Sequence, residues 1–139
     1  MLSSPMPAPS VLIVDDEWCN RDLLRIPLEA RGYEVAEAEN GAQAMEVLQT
    51  QSFTLLILDL QMPKLNGLEV LKKVRQMPMH DQMYIAVNTA NPVMATDEVQ
   101  AEADFVLQKP LALQEFLRLI DRLQTQVRVA CTSDNSVIG

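Results

Sequence analysis

Thr54-Leu55-Leu56-Ile57-Leu58-Asp59-Leu60-Gln61-Met62-Pro63 is the stretch that decides the fold. Four apolar residues run straight into one carboxylate, and Met62-Pro63 then stops the strand. An uninterrupted Leu/Ile run reads as a central parallel strand, covered on both faces. The apolar run ends where the sheet meets solvent. Asp59 is therefore expected at the carboxyl end of a parallel sheet, where open α/β folds bind ligands. A single Asp there is also what a turn or a helix cap would supply. The other strand ends separate these two possibilities.

Working outward, Ser10-Val11-Leu12-Ile13-Val14 is a second buried-strand run, and it ends in Asp15-Asp16-Glu17. Residues 33–38 alternate weakly and read as a short strand. Residues 83–87 form a further strand, ending in Asn88-Thr89-Ala90, and residues 104–107 another, ending in Lys109-Pro110. Helical patterns lie between them. The first carries Leu23, Leu24, Ile26, Leu28 and Ala30, with Pro27 inside it and Gly32 placed for a left-handed cap. The second starts at Asn40 as cap and buries Ala44, Met45 and Leu48. The third starts at Gly67, with Leu68, Leu71 and Val74 inward and Lys72, Lys73 and Arg75 toward solvent. Asn91-Pro92 reads as cap and first residue of a fourth helix over about 93–101. Leu113, Phe116, Leu117, Ile120, Leu123 and Val127 form the last apolar stripe.

Strands that alternate with helices predict an α/β fold: a doubly wound five-stranded parallel sheet with five helices. Asp15, Asp16, Asp59, Thr89 and Lys109 should then converge on one edge, at the topological switch point. Residues 1–9, with Pro5, Pro7 and Pro9, read as a disordered head, 10–128 as one domain, and 129–139 as a flexible tail.

Composition narrows the function. The 139 residues are 48% hydrophobic and carry a formal charge of -8. That balance argues against non-specific nucleic-acid binding and against an anionic membrane surface, and suits a cation or a basic partner. Cys19 and Cys131 have no metal or disulfide spacing. No apolar run reaches membrane length, and the head has no basic signal region, so a cytoplasmic protein is expected. His80, in a Pro/Met/Asp loop, is expected to be solvated; Trp18 and Met62 read as structural or loop residues.

Three crowded carboxylates repel unless a cation sits among them. Hard oxygen ligands suit Mg²⁺, which is held by a few carboxylates and phosphate oxygens. A Thr hydroxyl and a Lys ammonium at the same edge would bind an anion. Together these groups suggest a phosphoryl site in which one carboxylate is the nucleophile.

At these residues the chain resembles a response-regulator receiver domain. The matches are VLIVDDE at 11–17, LLILDLQMPKLNG at 55–67, NTA at 88–90 and KP at 109–110, in the family's order. The resemblance implies the flavodoxin-like receiver topology and two-component phosphorelay signalling, in a receiver-only protein or a domain of a hybrid kinase. It implies Asp59 as phosphoacceptor, Asp16 as a direct Mg²⁺ ligand, Asp15 acting through a water, and the Gln61 backbone carbonyl as a further ligand. Thr89 and Lys109 would bind phosphoryl oxygens, and Lys109-Pro110 would be a cis peptide. The implied partner is a histidine kinase or a histidine phosphotransfer protein, with an unknown downstream protein and a monomer or weak dimer. Chemistry would be limited to self-phosphorylation and autodephosphorylation.

Two departures stand out. The position three before the Lys is Val106, where the family usually carries Tyr or Phe; Phe105, one place earlier, points to the other face. The stretch from Thr89 to Lys109 is also short, which predicts a short or reoriented fourth helix. Two rival functions remain. A magnesium-dependent aspartyl-nucleophile phosphohydrolase would usually carry Asp where Gln61 stands. A phosphorylation-independent interaction module would not need the intact acid set.

Overall fold

In the computed structural model, which describes residues 9–62, 65–109 and 113–131, the apolar runs pair as one parallel sheet. Its strands are β1 (Ser10–Val14), β2 (Glu34–Ala38), β3 (Leu55–Asp59), β6 (Tyr84–Thr89) and β7 (Phe105–Gln108). Two further strands, β4 (Gln61–Met62) and β5 (Leu65–Asn66), pair antiparallel as a small ribbon just after Asp59. The helices are α1 (Trp18–Ala30), α2 (Gly41–Thr50), α3 (Gly67–Arg75), α4 (Asp97–Glu102) and α5 (Leu113–Cys131). The sheet order is β2-β1-β3-β6-β7. The chain thus winds outward in both directions from β1 and β3, and the switch point lies between them. This is the doubly wound, flavodoxin-like arrangement that the alternation predicts.

The two faces of the sheet divide by residue parity. Leu12, Val14, Leu56, Leu58, Ile85 and Val87 pack with Ala44 and Leu48 of α2, Val70, Leu71 and Val74 of α3, and Val99 of α4. Val11, Ile13, Ile57 and Ala86 alternate with them and are fully or nearly fully buried too. Complete burial of each Leu, Ile or Val contributes roughly 1.5–3 kcal/mol. β1 and β3 stay apolar on both faces for this reason, and charge appears only at their ends. Considered alone, α5 buries Phe116, Leu119, Ile120 and Leu123, which recur every three or four residues.

Local signals hold where they act through the backbone. Gly32 has φ +88°, as the left-handed cap requires. Asn40 caps α2, its side chain accepting from the Gln43 N–H at 2.8 Å. Several expectations need correction. Asn91-Pro92 opens only a 3-10 turn, Pro92–Met94, with the Asn91 side chain accepting from Val93 N–H at 3.0 Å. α4 itself starts later, is capped by Thr96, and has six residues. Leu23 and Ile26 belong to α1 but are exposed; its inward residues are Arg21, Leu24 and Leu28. Trp18 is 69% exposed and so has no core role.

His80 is buried, not solvated: the 3-10 turn Pro78–His80 folds it inward, where Nε2 donates to the Leu48 carbonyl at 2.7 Å. Arg75 is not merely solvated either. It donates to the carbonyls of Glu102 and Met83 and to the Asp104 carboxylate, tying α3 to the connection before β7. α5 runs to Cys131, three residues into the stretch read as tail. The head before Pro9, Pro63, Lys64, the Lys109-Pro110 peptide and the tail after Cys131 lie outside the described residues. Among the described residues, no helix is long and apolar enough to cross a membrane.

Candidate functional site

The site forms where β1 and β3 run out of apolar residues. Asp15 follows β1 and is 3% exposed; Asp59 ends β3 and is 2% exposed; Asp16 is exposed. One carboxylate oxygen from each of the three lies within 4.8 Å of the other two. Buried acids at this spacing need compensation, and each receives it. The Asp15 carboxylate accepts from the Glu17 N–H at 2.9 Å. One Asp59 oxygen accepts from the Gln61 N–H at 2.9 Å, the other from Lys109 Nζ at 3.0 Å. The same ammonium stands 3.5 Å from Asp15.

Burial pushes the Asp59 carboxyl above its ordinary value, and neighbouring Asp15 adds to the rise. The Gln61 N–H and Lys109 oppose that rise without cancelling it. For Lys109, burial works against the ammonium, but Asp59 and Asp15 outweigh it and the group is held above its usual value.

The surrounding backbone is fastened by two residues whose tasks the motifs do not state, Arg21 and the Gly67 that ends the 55–67 match. Arg21, 8% exposed in the first turns of α1, donates to the Asp15 carbonyl and pairs with Glu37 at 3.0 Å. It locks the β1–α1 connection against β2. Gly67 opens α3 against the end of β3. A Cβ there would stand 2.9 Å from Leu60 Cδ2 and 3.0 Å from Leu60 Cα, so any larger residue must push Leu60 aside. Both residues can be found in the sequence only as a charge in a helix and a glycine before one. Their tasks appear once the chain is folded.

Thr89 ends β6, fully buried, and its hydroxyl pairs with the Asn91 backbone: it accepts from the N–H at 3.0 Å and donates to the carbonyl at 3.2 Å. The Gln61 side chain crosses to the next loop, where its Oε1 accepts from the Ala90 N–H at 2.9 Å. The Lys109 N–H donates to the Thr89 carbonyl, fixing the lysine to the end of β6. The structure therefore gathers Asp15, Asp16, Asp59 and Lys109 into one cluster. Gln61 joins it through its N–H, and Thr89 stands at the neighbouring strand end with its hydroxyl turned to Asn91. Val106 packs on the α2–α4 core; Phe105 lies on the other face, its ring 6.3 Å from that of Tyr84.

Residues 11–121 match the response regulator receiver domain family. The chain belongs to that family. Among curated relatives of this receiver domain, the chemotaxis protein CheY of Bacillus subtilis is 34% identical over 113 residues, covering 81% of the chain and 94% of CheY. The response regulator MprA of Mycobacterium ulcerans is 38% identical over 109 residues, covering 77% of the chain and 46% of MprA. The chain thus spans about half the length of the MprA relatives that it matches. Among solved structures, CheY4 of Vibrio cholerae superposes with a TM-score of 0.77 at 29% identity, over 84% of the chain and 99% of CheY4. The response regulator TrrA of Thermotoga maritima, in complex with Mg(2+)-BeF, superposes with a TM-score of 0.74 at 32% identity, over 83% of the chain and 98% of TrrA. Receiver domains are signalling modules of two-component systems, generally not enzymes, that bind Mg²⁺ in an acidic pocket and work with histidine kinases and phosphotransfer proteins. The acid trio of this receiver fits such a cation: three hard oxygen donors at mutual ligating distance, two of them buried.

Proposed function

We propose that this receiver takes a phosphoryl group onto Asp59 from a phosphohistidine of a histidine kinase or phosphotransfer protein. It then signals by binding a partner or by passing the group on. The observation that carries this reading is the state of Asp59: 2% exposed, with one oxygen on a backbone N–H and the other on Lys109, beside two more carboxylates. In the reaction the phosphorus–nitrogen bond of the donor breaks, an oxygen of Asp59 bonds to phosphorus, and the imidazole leaves. Asp15, Asp16 and Asp59, with the Gln61 backbone carbonyl, would hold Mg²⁺, which when bound neutralises charge on the acids and the phosphoryl oxygens. Lys109 neutralises charge from the other side. The Thr89 hydroxyl would leave Asn91 to donate to a phosphoryl oxygen. Such transfer needs positioning and charge neutralisation more than covalent help. Gln61 speaks against a phosphohydrolase, because a neutral amide committed to Ala90 N–H cannot serve as general acid or base.

Acetyl phosphate with Mg²⁺ should add one phosphoryl group, seen by intact-mass spectrometry. Addition should vanish in Asp59→Asn and on chelation of the metal. Labelling that survives either change would refute the assignment.

A further inference from the structure

The register brings one more polar side chain to this edge. β6 lies between β3 and β7. Its Asn88 is the register partner of Asp59 on one side and of Leu107 on the other. Paired residues of parallel strands share a face, and successive residues alternate. Leu58, Val87 and Val106 belong to the α2–α4 core, so Asp59, Asn88 and Leu107 stand on the opposite face. The Lys109 ammonium reaches Asp59 from the end of β7, and β6 is the strand it must cross. Asn88 is the β6 residue at that level on that face.

Asn88 is 5% exposed, and its Oδ1 has no hydrogen-bond partner among the described residues. A buried acceptor left unpaired is costly, and native proteins keep few of them. Strand propensity does not explain it, since Asn is depleted from strands. Lys109 offers the complement. An ammonium has three N–H donors, and among the described residues its partners are Asp59 at 3.0 Å and Asp15 at 3.5 Å. Both are the carboxylates proposed to take the cation. When they do, a half-buried ammonium loses part of its acceptors and needs another.

We propose that Asn88 is a positioning residue for Lys109: its side-chain carbonyl takes an ammonium N–H when Asp15 and Asp59 turn to the cation. The inference rests on the function proposed above and deepens it. Asn88 touches no reacting atom; it keeps the ammonium over Asp59 instead of releasing it to solvent.

Mg²⁺ alone is the probe, titrated by calorimetry in four proteins: wild type, Asn88→Leu, Lys109→Met and the double variant. Asn88→Leu should weaken Mg²⁺ binding about tenfold, the worth of one hydrogen bond to a charged group. In the Lys109→Met background the same substitution should have no effect. Equal effects in both backgrounds, or none in either, would overturn the proposal. Wild type that binds no Mg²⁺ would instead overturn the proposed function. A second readout needs only the wild type. With Mg²⁺ bound, the Lys109 ammonium should give a slowly exchanging ¹⁵N signal, and one that exchanges like a solvated lysine would contradict the inference.

Discussion

At the β1–β3 end of the carboxyl edge, the side chains of Asp15 and Asp59 and the loops that carry them are fastened by further bonds. Asp15 is held by Glu17 N–H and through its carbonyl by Arg21, and Asp59 by Gln61 N–H and Lys109. At the β6–β7 end the structure is sparser. α4 has six residues and buries only Val99, β7 is half-buried through residues 105–107 and exposed at Gln108, and the Thr89 hydroxyl bonds only two residues along its own chain. Val106 puts a short β-branched side chain on the core where a ring is usual in the family. The difference separates two tasks. Chemistry needs atoms held in fixed places. A readout needs an element with two arrangements that the ligand tells apart. The β1–β3 end shows the first; at the β6–β7 end α4 is short and Val106 carries no ring. Among the described residues two side chains join the ends: Gln61 across to Ala90, and Lys109 from the end of β7 to Asp59 and Asp15.

Residues whose side chains touch Asp59 should matter more to phosphorylation than Val106. Lys109→Met should slow labelling by acetyl phosphate about 10²–10³-fold, as loss of a preorganised charge does. Val106→Ala should change the same rate less than about twofold, because Val106 packs on the α2–α4 core and is no partner of the Asp59 carboxylate. Comparable losses, measured from intact-mass time courses, would contradict the division.

Gly67 tests how tightly the β3 end is built. Gly67→Val must displace Leu60 and the backbone next to Asp59, and overpacking of this kind costs about 1–3 kcal/mol. Urea unfolding should show that loss, accompanied by slower labelling. Unchanged stability would mean that the contact yields easily.

The smallest effect is also the least expected from the residue's role. In the folded protein Asp59 is held above its ordinary value of 3.8, chiefly by burial. The folded state then binds this proton more tightly than the unfolded chain, so stability falls as pH rises from the ordinary value through the raised one. Above that window the wild type carries the full penalty, and Asp59→Asn does not. In metal-free buffer near neutral pH the variant should be as stable as wild type or more so, by up to about 1 kcal/mol after the loss of its Lys109 contact. Added Mg²⁺ should reverse the order by stabilising wild type through mass action. Thermal melts at several pH values, with and without metal, check the sign. An Asp59→Asn protein that is less stable at neutral pH than at acid pH, relative to wild type, would contradict it.

These differences bear on what the sequence could disclose. The sheet was legible because its central strands β1 and β3 are apolar runs ended by carboxylates, and periodicity reports burial directly. The acid cluster was legible because one topology carries every strand end to the same edge. Arg21 and Asn88 were not, since their surroundings depend on register: Arg21 on α1 meets both Asp15 and Glu37 only after β1 and β2 pair, and Asn88 lies beside Asp59 only after β3 and β6 pair. His80 was misread because a Pro/Met/Asp segment has a loop's composition, yet a 3-10 turn can bury its last residue against a helix end. The start of α4 was misplaced for a similar reason. Asn91-Pro92 carries a valid cap signal, but a 3-10 turn uses it first, and Thr96 supplies the cap that the helix keeps.

We propose that phosphorylation is read near Asp59 and couples weakly to Val106 and the last helix. Backbone amide shifts, recorded with Mg²⁺ before and after adding beryllofluoride as phosphoryl mimic, test it most directly. The account predicts changes concentrated in residues 61–66 and 90–95, with Gln61 and Ala90 among the largest as their hydrogen bond is disturbed. Large changes spread over Val106 and 113–131 would contradict it.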